Sequence, residues 1–305
     1  MSIVEKAAEK LRTLQSDPDV ATLAAVADPA PVAEPARATP SIERLHGRSR
    51  PVEASAPVEP PWHVDEAALR GVGATADEAS WRLLDEMRRA KRPLLDNATG
   101  KGARPIAHAE RIVVTSAVPG EGKTFTTVSL ALSLAREPDF EVLLVDGDVP
   151  KSDITRRLGL EDRPGLMDVL ADESREPSEV VVHTDVPNLL VVPAGGQNAL
   201  GSELFGGRRM DYVLEAFGHS RRPRLVVFDS PPLLAISDAP VLVSHMGQVV
   251  MVVAAGHTRQ QDVRSALESL AGSQYVGLIL NKSSLPASES HYYGGYYGHH
   301  YGKNA

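Results

Sequence analysis

The sequence predicts an α/β protein, a doubly wound and mostly parallel sheet with helices on both faces. Three observations carry that expectation. Beyond residue 110, short apolar runs of the kind buried on both faces of a parallel sheet recur without polar alternation. Segments of helical period separate them, and alternation of the two gives a layered α/β fold. One apolar run, beginning at Arg111, passes through a turn rich in glycine and enters a helical pattern directly.

Taken in order, residues 1–15 read as a short amphipathic helix, with Val4, Ala7, Leu11 and Leu14 at three-four-three spacing. Two heptads are too few to stand alone in water, so this is either a frayed tail or a docking helix for a partner. Residues 16–74 are assigned to a linker rich in proline and alanine, with nine prolines between Ser16 and Trp62. Order is expected to return at Thr75-Ala-Asp-Glu78, a capping box opening a helix that ends near Arg92, before Pro93. Leu83, Met87 and Ala90 share one face of it, and Glu86, Arg89 and Arg92 form a neighbouring stripe in steps of three.

The folded domain is expected to span 75–285. Strands are placed at Ile112–Thr115, Glu141–Asp146, Val180–His183, Leu189–Val192, Arg224–Phe228, Val249–Val253 and Val276–Leu280. A helix is placed over Ser202–Phe217, and a second capping box, Thr258-Arg-Gln-Gln261, starts a helix ending near Ala271. Residues 286–305 form a tail holding five of the seven tyrosines.

Composition excludes several classes. The chain has 305 residues, no cysteine and a net charge of −8. A disulfide framework and a thiolate metal site are out, and a reducing cytoplasm is the natural setting. The acidic balance argues against a general nucleic-acid binder, which needs a basic footprint. The charged N-terminus lacks the apolar core of an export signal. The most apolar region, Pro240 to Ala255, is interrupted by Ser244, His245, Gly247 and Gln248, so it falls short of the roughly 18 to 20 apolar residues a membrane helix needs. Membrane association is therefore expected only through a partner.

The chemistry starts at Arg111-Ile-Val-Val-Thr-Ser-Ala-Val-Pro-Gly-Glu-Gly-Lys-Thr-Phe125. A loop that wraps a polyphosphate presents backbone N–H groups inward with no side chains in the way, which is the use of Gly120 and Gly122. The helix that follows adds its unpaired N–H groups and its dipole. Lys123 is placed to reach the β- and γ-phosphates, and the Thr124 hydroxyl to ligate Mg²⁺. These residues make a Walker A loop, with Pro119, Gly120, Glu121, Gly122, Lys123, Thr124 and Phe125 as nucleotide-binding candidates. It departs from the usual pattern at one position, where Ala117 replaces the first glycine.

Two apolar runs end in acids, Glu141-Val-Leu-Leu-Val-Asp146-Gly-Asp148 and Arg224-Leu-Val-Val-Phe-Asp229. Ligands bind at such carboxyl edges in open α/β sheets. Phosphoryl transfer needs a metal held at the phosphates and a group that positions the attacking oxygen. Asp229 suits the first task as a Walker B acid, Asp146 the second as base or orienter with a share in the metal, and Asp148 supports the metal or the acceptor. The tail tyrosines Tyr292, Tyr293, Tyr296, Tyr297 and Tyr301 are then candidate phosphoacceptors. A sticky low-complexity tail, or a weak metal site through His291, His299 and His300, is the alternative.

The motifs Pro-Gly-Glu-Gly-Lys-Thr, Leu-Leu-Val-Asp-Gly-Asp and Val-Val-Phe-Asp-Ser-Pro-Pro, together with the tyrosine tail, resemble the bacterial tyrosine kinases of polysaccharide assembly systems. The helix reading Arg88-Arg-Ala-Lys-Arg-Pro-Leu-Leu is similar to that of cytoplasmic autokinases found with exosortase-linked exopolysaccharide loci. The resemblance spans about Ala76 to the end. It implies an ATP- and Mg²⁺-dependent protein-tyrosine autokinase that uses Lys123, Asp146 and Asp148, with Asp229 as the Walker B acid. It also implies a homo-oligomeric ring held through Glu86, Arg89 and Arg92, phosphorylation of the tail in a neighbouring copy, and control of exopolysaccharide or capsule polymerisation and export. The implied partners are a membrane-spanning chain-length regulator that activates the kinase at the inner membrane and a cognate tyrosine phosphatase.

Many such kinases carry Arg where this chain has Pro150, with Lys151 next to stand in for the charge. Asn281-Lys282 resembles the base-contacting pair of related nucleotide-binding proteins. Two other readings stay open: a nucleotide-switched ATPase of the partitioning or cell-positioning type, and a nucleotide-binding scaffold without kinase activity.

Overall fold

The computed structural model of the chain describes residues 63–73, 80–196 and 201–283. The expected N-terminal helix, most of the linker, the Thr75 capping box and the tyrosine tail lie outside the described residues.

Among the described residues, eight strands form one sheet in the order β1-β4-β5-β3-β6-β2-β7-β8. They are β1 His63–Val64, β2 Arg111–Ser116, β3 Glu141–Asp146, β4 Val182–Thr184, β5 Leu189–Val192, β6 Arg224–Asp229, β7 Gln248–Ala254 and β8 Val276–Asn281. All neighbours pair parallel except β4 with β5. The central strands are buried on both faces, which explains why their sequences do not alternate.

Because successive side chains point to opposite faces, each strand feeds two cores. Val113, Leu143, Val145, Val226, Phe228 and Met251 line one face. There they meet helices α5 (Leu166–Ala171), α7 (Arg208–Gly218), α8 (Asp238–Ser244) and α9 (Gln260–Ser269). Ile112, Val114, Val142, Leu144, Val227 and Val252 line the other. Against them pack α1 (Glu66–Gly73), α2 (Ser80–Ala98), α3 (Lys123–Leu134) and Ile154 of α4 (Asp153–Arg157).

Four expectations need correction. The linker does not run to residue 74: β1 and α1 belong to the domain, with Leu69 fully buried and Gly73 packed on α3. A Cβ on Gly73 would meet the Ser129 amide nitrogen at 2.7 Å, so the close approach of the two helices requires glycine there.

The second correction concerns α2, which does not stop before Pro93 but continues to Ala98 with the proline inside. Proline removes only the bond to the Arg89 carbonyl, and Arg89 faces solvent, where water can replace it. Tertiary contacts hold the rest. Leu94 is buried, the Lys91 ammonium bonds the Ser133 carbonyl at 2.7 Å and Glu137 at 2.6 Å, and Asn97 donates to the buried Gln248 at 2.8 Å.

Third, the helix expected over Ser202–Phe217 is two helices, α6 (Gly201–Phe205) and α7, broken at Gly206-Gly207 where the backbone turns extended. Fourth, Thr258 caps nothing. Arg259 takes the N-cap position of α9 with no side-chain cap bond, and the Thr258 hydroxyl is committed elsewhere. A smaller shift occurs at β4, where a 3-10 turn over Pro177–Val180 precedes the strand.

Candidate active site at the strand tips

The sheet order places β6 between β3 and β2, so the carboxyl ends of these three strands lie side by side. In register, Asp146 of β3 pairs with Asp229 of β6, and Val114 of β2 pairs with Asp229. The loop after β2 and the first turn of α3 therefore meet acids from two strands.

Gly120 and Gly122 both adopt left-handed backbone, with φ of 84° and 92°, where a side chain is strained. Ala117 stays outside that region and is fully buried in the core, so the departure from the first glycine has no backbone cost. Pro119 and Gly120 are exposed, and Thr124 and Phe125 half-buried in the first turn of α3.

The Lys123 ammonium, almost fully buried, forms an ion pair with Asp148. Burial opposes its charge, but the carboxylates of Asp229, Asp148 and Asp146 together outweigh burial and raise its pKa. The Thr124 hydroxyl donates to Asp229 Oδ2 at 2.7 Å, and the Thr127 hydroxyl lies 3.0 Å from Oδ1. Asp229 is completely buried. Burial pushes its pKa up to about 7 against the pull of Lys123, with further upward pressure from Asp146.

Asp146 is held by Thr155 of α4, whose backbone N–H and hydroxyl donate to Oδ2 at 2.9 and 2.7 Å. Thr155 in turn accepts the Ala194 N–H at 2.8 Å. The other carboxylate oxygen, Oδ1, is buried with no hydrogen-bond partner. Burial raises the Asp146 pKa to about 6, partly offset by the Thr155 bonds. The result is a positioned carboxylate with one free oxygen and a pKa near the working range of a general base.

Lys123, Thr124, Asp146, Asp148 and Asp229 are thus brought together. Glu121 behaves differently from a nucleotide contact. Its buried carboxylate accepts from the Val118 N–H at 2.7 Å, the Ala254 N–H at 3.3 Å and the Thr258 hydroxyl, tying the loop to the end of β7. Asn281 does reach this loop, donating to the Glu121 carbonyl at 2.8 Å. Lys151 is exposed and pairs with Asp153 at 3.4 Å. Glu86, Arg89 and Arg92 share the solvent-facing side of α2, where Arg89 bonds Asp85 at 2.6 Å. The five tail tyrosines lie outside the described residues.

Thr127 and Thr155 join the site without having been singled out as site residues from the sequence, and Lys282, named with Asn281 for the base, instead donates to the Gly120 carbonyl of the loop. Thr127 follows Lys123 by one helical turn, a spacing that signals a shared face. Thr155 had no such signal, because it reaches Asp146 across a loop.

A glycine loop leading into a helix, with a buried lysine ringed by three aspartates at the tips of parallel strands, defines a P-loop nucleotide-binding protein. No family model matches the chain. Its relatives identify it more closely. Tyrosine-protein kinase YwqD of Bacillus subtilis is 33% identical over 189 residues, 61% of this chain and 77% of that one. Tyrosine-protein kinase CpsD of Streptococcus agalactiae is 30% identical over 192 residues, 61% and 80% of the two chains. The kinase domain of the Escherichia coli tyrosine kinase ETK superposes with a TM-score of 0.52 at 29% identity, covering 58% of this chain and 69% of that one. The chain belongs to the bacterial tyrosine kinase family, and its activity is that of a protein-tyrosine kinase.

Proposed function

We propose that this kinase is an autokinase that transfers the γ-phosphoryl group of ATP to the tail tyrosines Tyr292, Tyr293, Tyr296, Tyr297 and Tyr301 of a neighbouring copy. The observation that carries the reading is the free, buried Oδ1 of Asp146 beside the Lys123 site.

In this mechanism Lys123 leaves Asp148 for the β- and γ-phosphates, and the N–H groups of the loop and the α3 terminus line the rest of the chain of phosphates. Asp146 Oδ1 accepts the phenolic proton as the tyrosine oxygen forms its bond to the γ-phosphorus. The bond from that phosphorus to the bridging oxygen breaks, and ADP leaves.

The donor set suits Mg²⁺: the Thr124 hydroxyl and the Asp229 carboxylate lie 2.7 Å apart. Among the described residues no group of three or more acidic or imidazole side chains makes a complete metal cage. Mg²⁺ at phosphoryl-transfer sites takes one or two carboxylates and completes its shell with phosphates and water. Thr124 and Asp229 would hold it, leaving Asp146 Oδ1 as the proton acceptor rather than a direct metal ligand, and it would neutralise charge on the phosphates.

The exposed Glu86, Arg89 and Arg92 stripe supports self-association into a ring, which would bring each tail to the next active site. No helix among the described residues is long and apolar enough to cross a membrane. In this reading the membrane is reached through a spanning chain-length regulator that activates the kinase, and the output is control of exopolysaccharide polymerisation. The domain plan is an N-terminal segment rich in proline and alanine, a kinase domain starting at β1, and a tyrosine tail.

Anti-phosphotyrosine detection and mass-spectrometric mapping test the proposal on protein incubated with ATP and Mg²⁺. Wild type should label in the tail, and Lys123→Met and Asp146→Asn should lose at least about a hundredfold in rate, the scale of general-base and electrostatic contributions. Label that persists in both variants, or that never appears in the tail, defeats it.

A further inference from the structure

Two residues at the end of β8 hold backbone carbonyls of the phosphate loop. The Lys282 ammonium donates to the Gly120 carbonyl at 2.6 Å, and the Asn281 side-chain amide donates to the Glu121 carbonyl at 2.8 Å. Both contacts join segments more than 150 residues apart in sequence, at separations of 162 and 160.

In a trans peptide the carbonyl and the following N–H point in opposite directions. The described residues contain no cis peptide bond. Holding the Gly120 carbonyl toward Lys282 therefore turns the Glu121 N–H to the opposite side, and holding the Glu121 carbonyl toward Asn281 does the same for the Gly122 N–H. These are amides a phosphate-binding loop needs to present.

Two further features fit a built contact. Lys282 holds a left-handed backbone, φ 57°, which a non-glycine residue adopts at a cost and which concentrates at functional sites. A Cβ on Gly122 would fall 2.1 Å from Asn281 Nδ2, so the amide sits against the bare face of that glycine.

We infer that Asn281 and Lys282 are positioning residues of the phosphate loop: they orient two of its N–H groups toward the triphosphate. The inference rests on the phosphate-loop reading of Gly120 to Thr124, and it differs from the base-contacting role expected from resemblance. A base contact would be felt by the nucleoside; loop positioning is felt by the phosphates alone.

The experiment measures binding of Mg-ATP and of Mg-tripolyphosphate to the full chain by calorimetry. It compares wild type with Asn281→Ala, Lys282→Met and Lys282→Arg. Each of the first two variants should weaken both ligands by about tenfold, the scale of one lost hydrogen bond, with little change in melting temperature. Arg at 282 keeps the donor and should bind like wild type. Asn281 carries no charge, so its loss separates positioning from direct attraction of phosphate. ATP weakened with tripolyphosphate unchanged means that the pair reads the base, and the inference fails. Weakening by Lys282→Met without weakening by Asn281→Ala reduces the effect to charge, and the inference fails again. Wild type that binds neither ligand would remove the phosphate-loop reading itself.

Discussion

Two aspartates differ from ordinary carboxylates because of where the strands end. Burial raises Asp146 to about 6 and Asp229 to about 7. A carboxylate whose folded pKa is raised favours folding in its protonated form. Its contribution is full below the unfolded value near 4 and is lost as pH climbs through the folded value. The nucleotide-free protein should therefore melt at a higher temperature at pH 5 than at pH 8. Asp229→Asn should shrink that difference while abolishing kinase activity, and a thermal melt series across this range measures it. The same carboxyl group sets an activity limb: kcat/KM for ATP should rise with pH through about 6 as Asp146 loses its proton in the free enzyme. A profile flat from pH 5 to 8 would count against Asp146 as base.

Elements show where local signals were enough and where they were overruled. The strand-loop-helix of β2 and α3 was legible because glycine, lysine and apolar period each mark it independently. At Gly122, φ of 92° and the Asn281 amide, which lies 2.1 Å from where a Cβ would sit, act together, so Gly122→Ala should fold yet lose nucleotide binding by at least about tenfold, readable with a fluorescent ATP analogue. Helix α1 was missed because its eight residues adjoin a stretch rich in proline and its apolar positions are few. Its place in the domain is testable: Leu69 is fully buried, and Leu69→Ala should cost about 2–5 kcal/mol in chemical denaturation, whereas a linker residue would cost nothing. The course of α2 past Pro93 was likewise hidden, since the bonds that hold it come from Ser133, Glu137 and Gln248, far away in sequence.

At the scale of the whole molecule, the surface stripe on α2 and the tail define the expected assembly. Replacing Glu86, Arg89 and Arg92 with alanine leaves the buried face of α2 untouched, so the expected product is a folded monomer with weakened tail phosphorylation, measured by light scattering and phosphotyrosine mapping. Phosphate on all five tail tyrosines would add roughly −8 to −10 charge near neutral pH. Tails gathered in a ring would then repel one another, so ATP should shift wild type toward smaller species. A variant with all five changed to phenylalanine should keep its size in ATP. Loss of assembly in that variant as well would separate disassembly from tail charge.

Composition, hydrophobic period and motif spacing by themselves determined the α/β class, the positions of most strands, the phosphate loop and the three acids. Each of these depends on residues adjacent in the chain or one helical turn apart. Tertiary structure alone decided that β6 lies between β3 and β2, which brings Asp146 and Asp229 into register around Lys123. It also decided that Thr155 fixes one oxygen of Asp146 and leaves the other free, and that Asn281 and Lys282 brace the loop. The Asn281 and Lys282 contacts bridge segments that meet only when the sheet closes its strand order, and no local preference encodes which partner a polar side chain will find there or across the loop from Asp146 to Thr155.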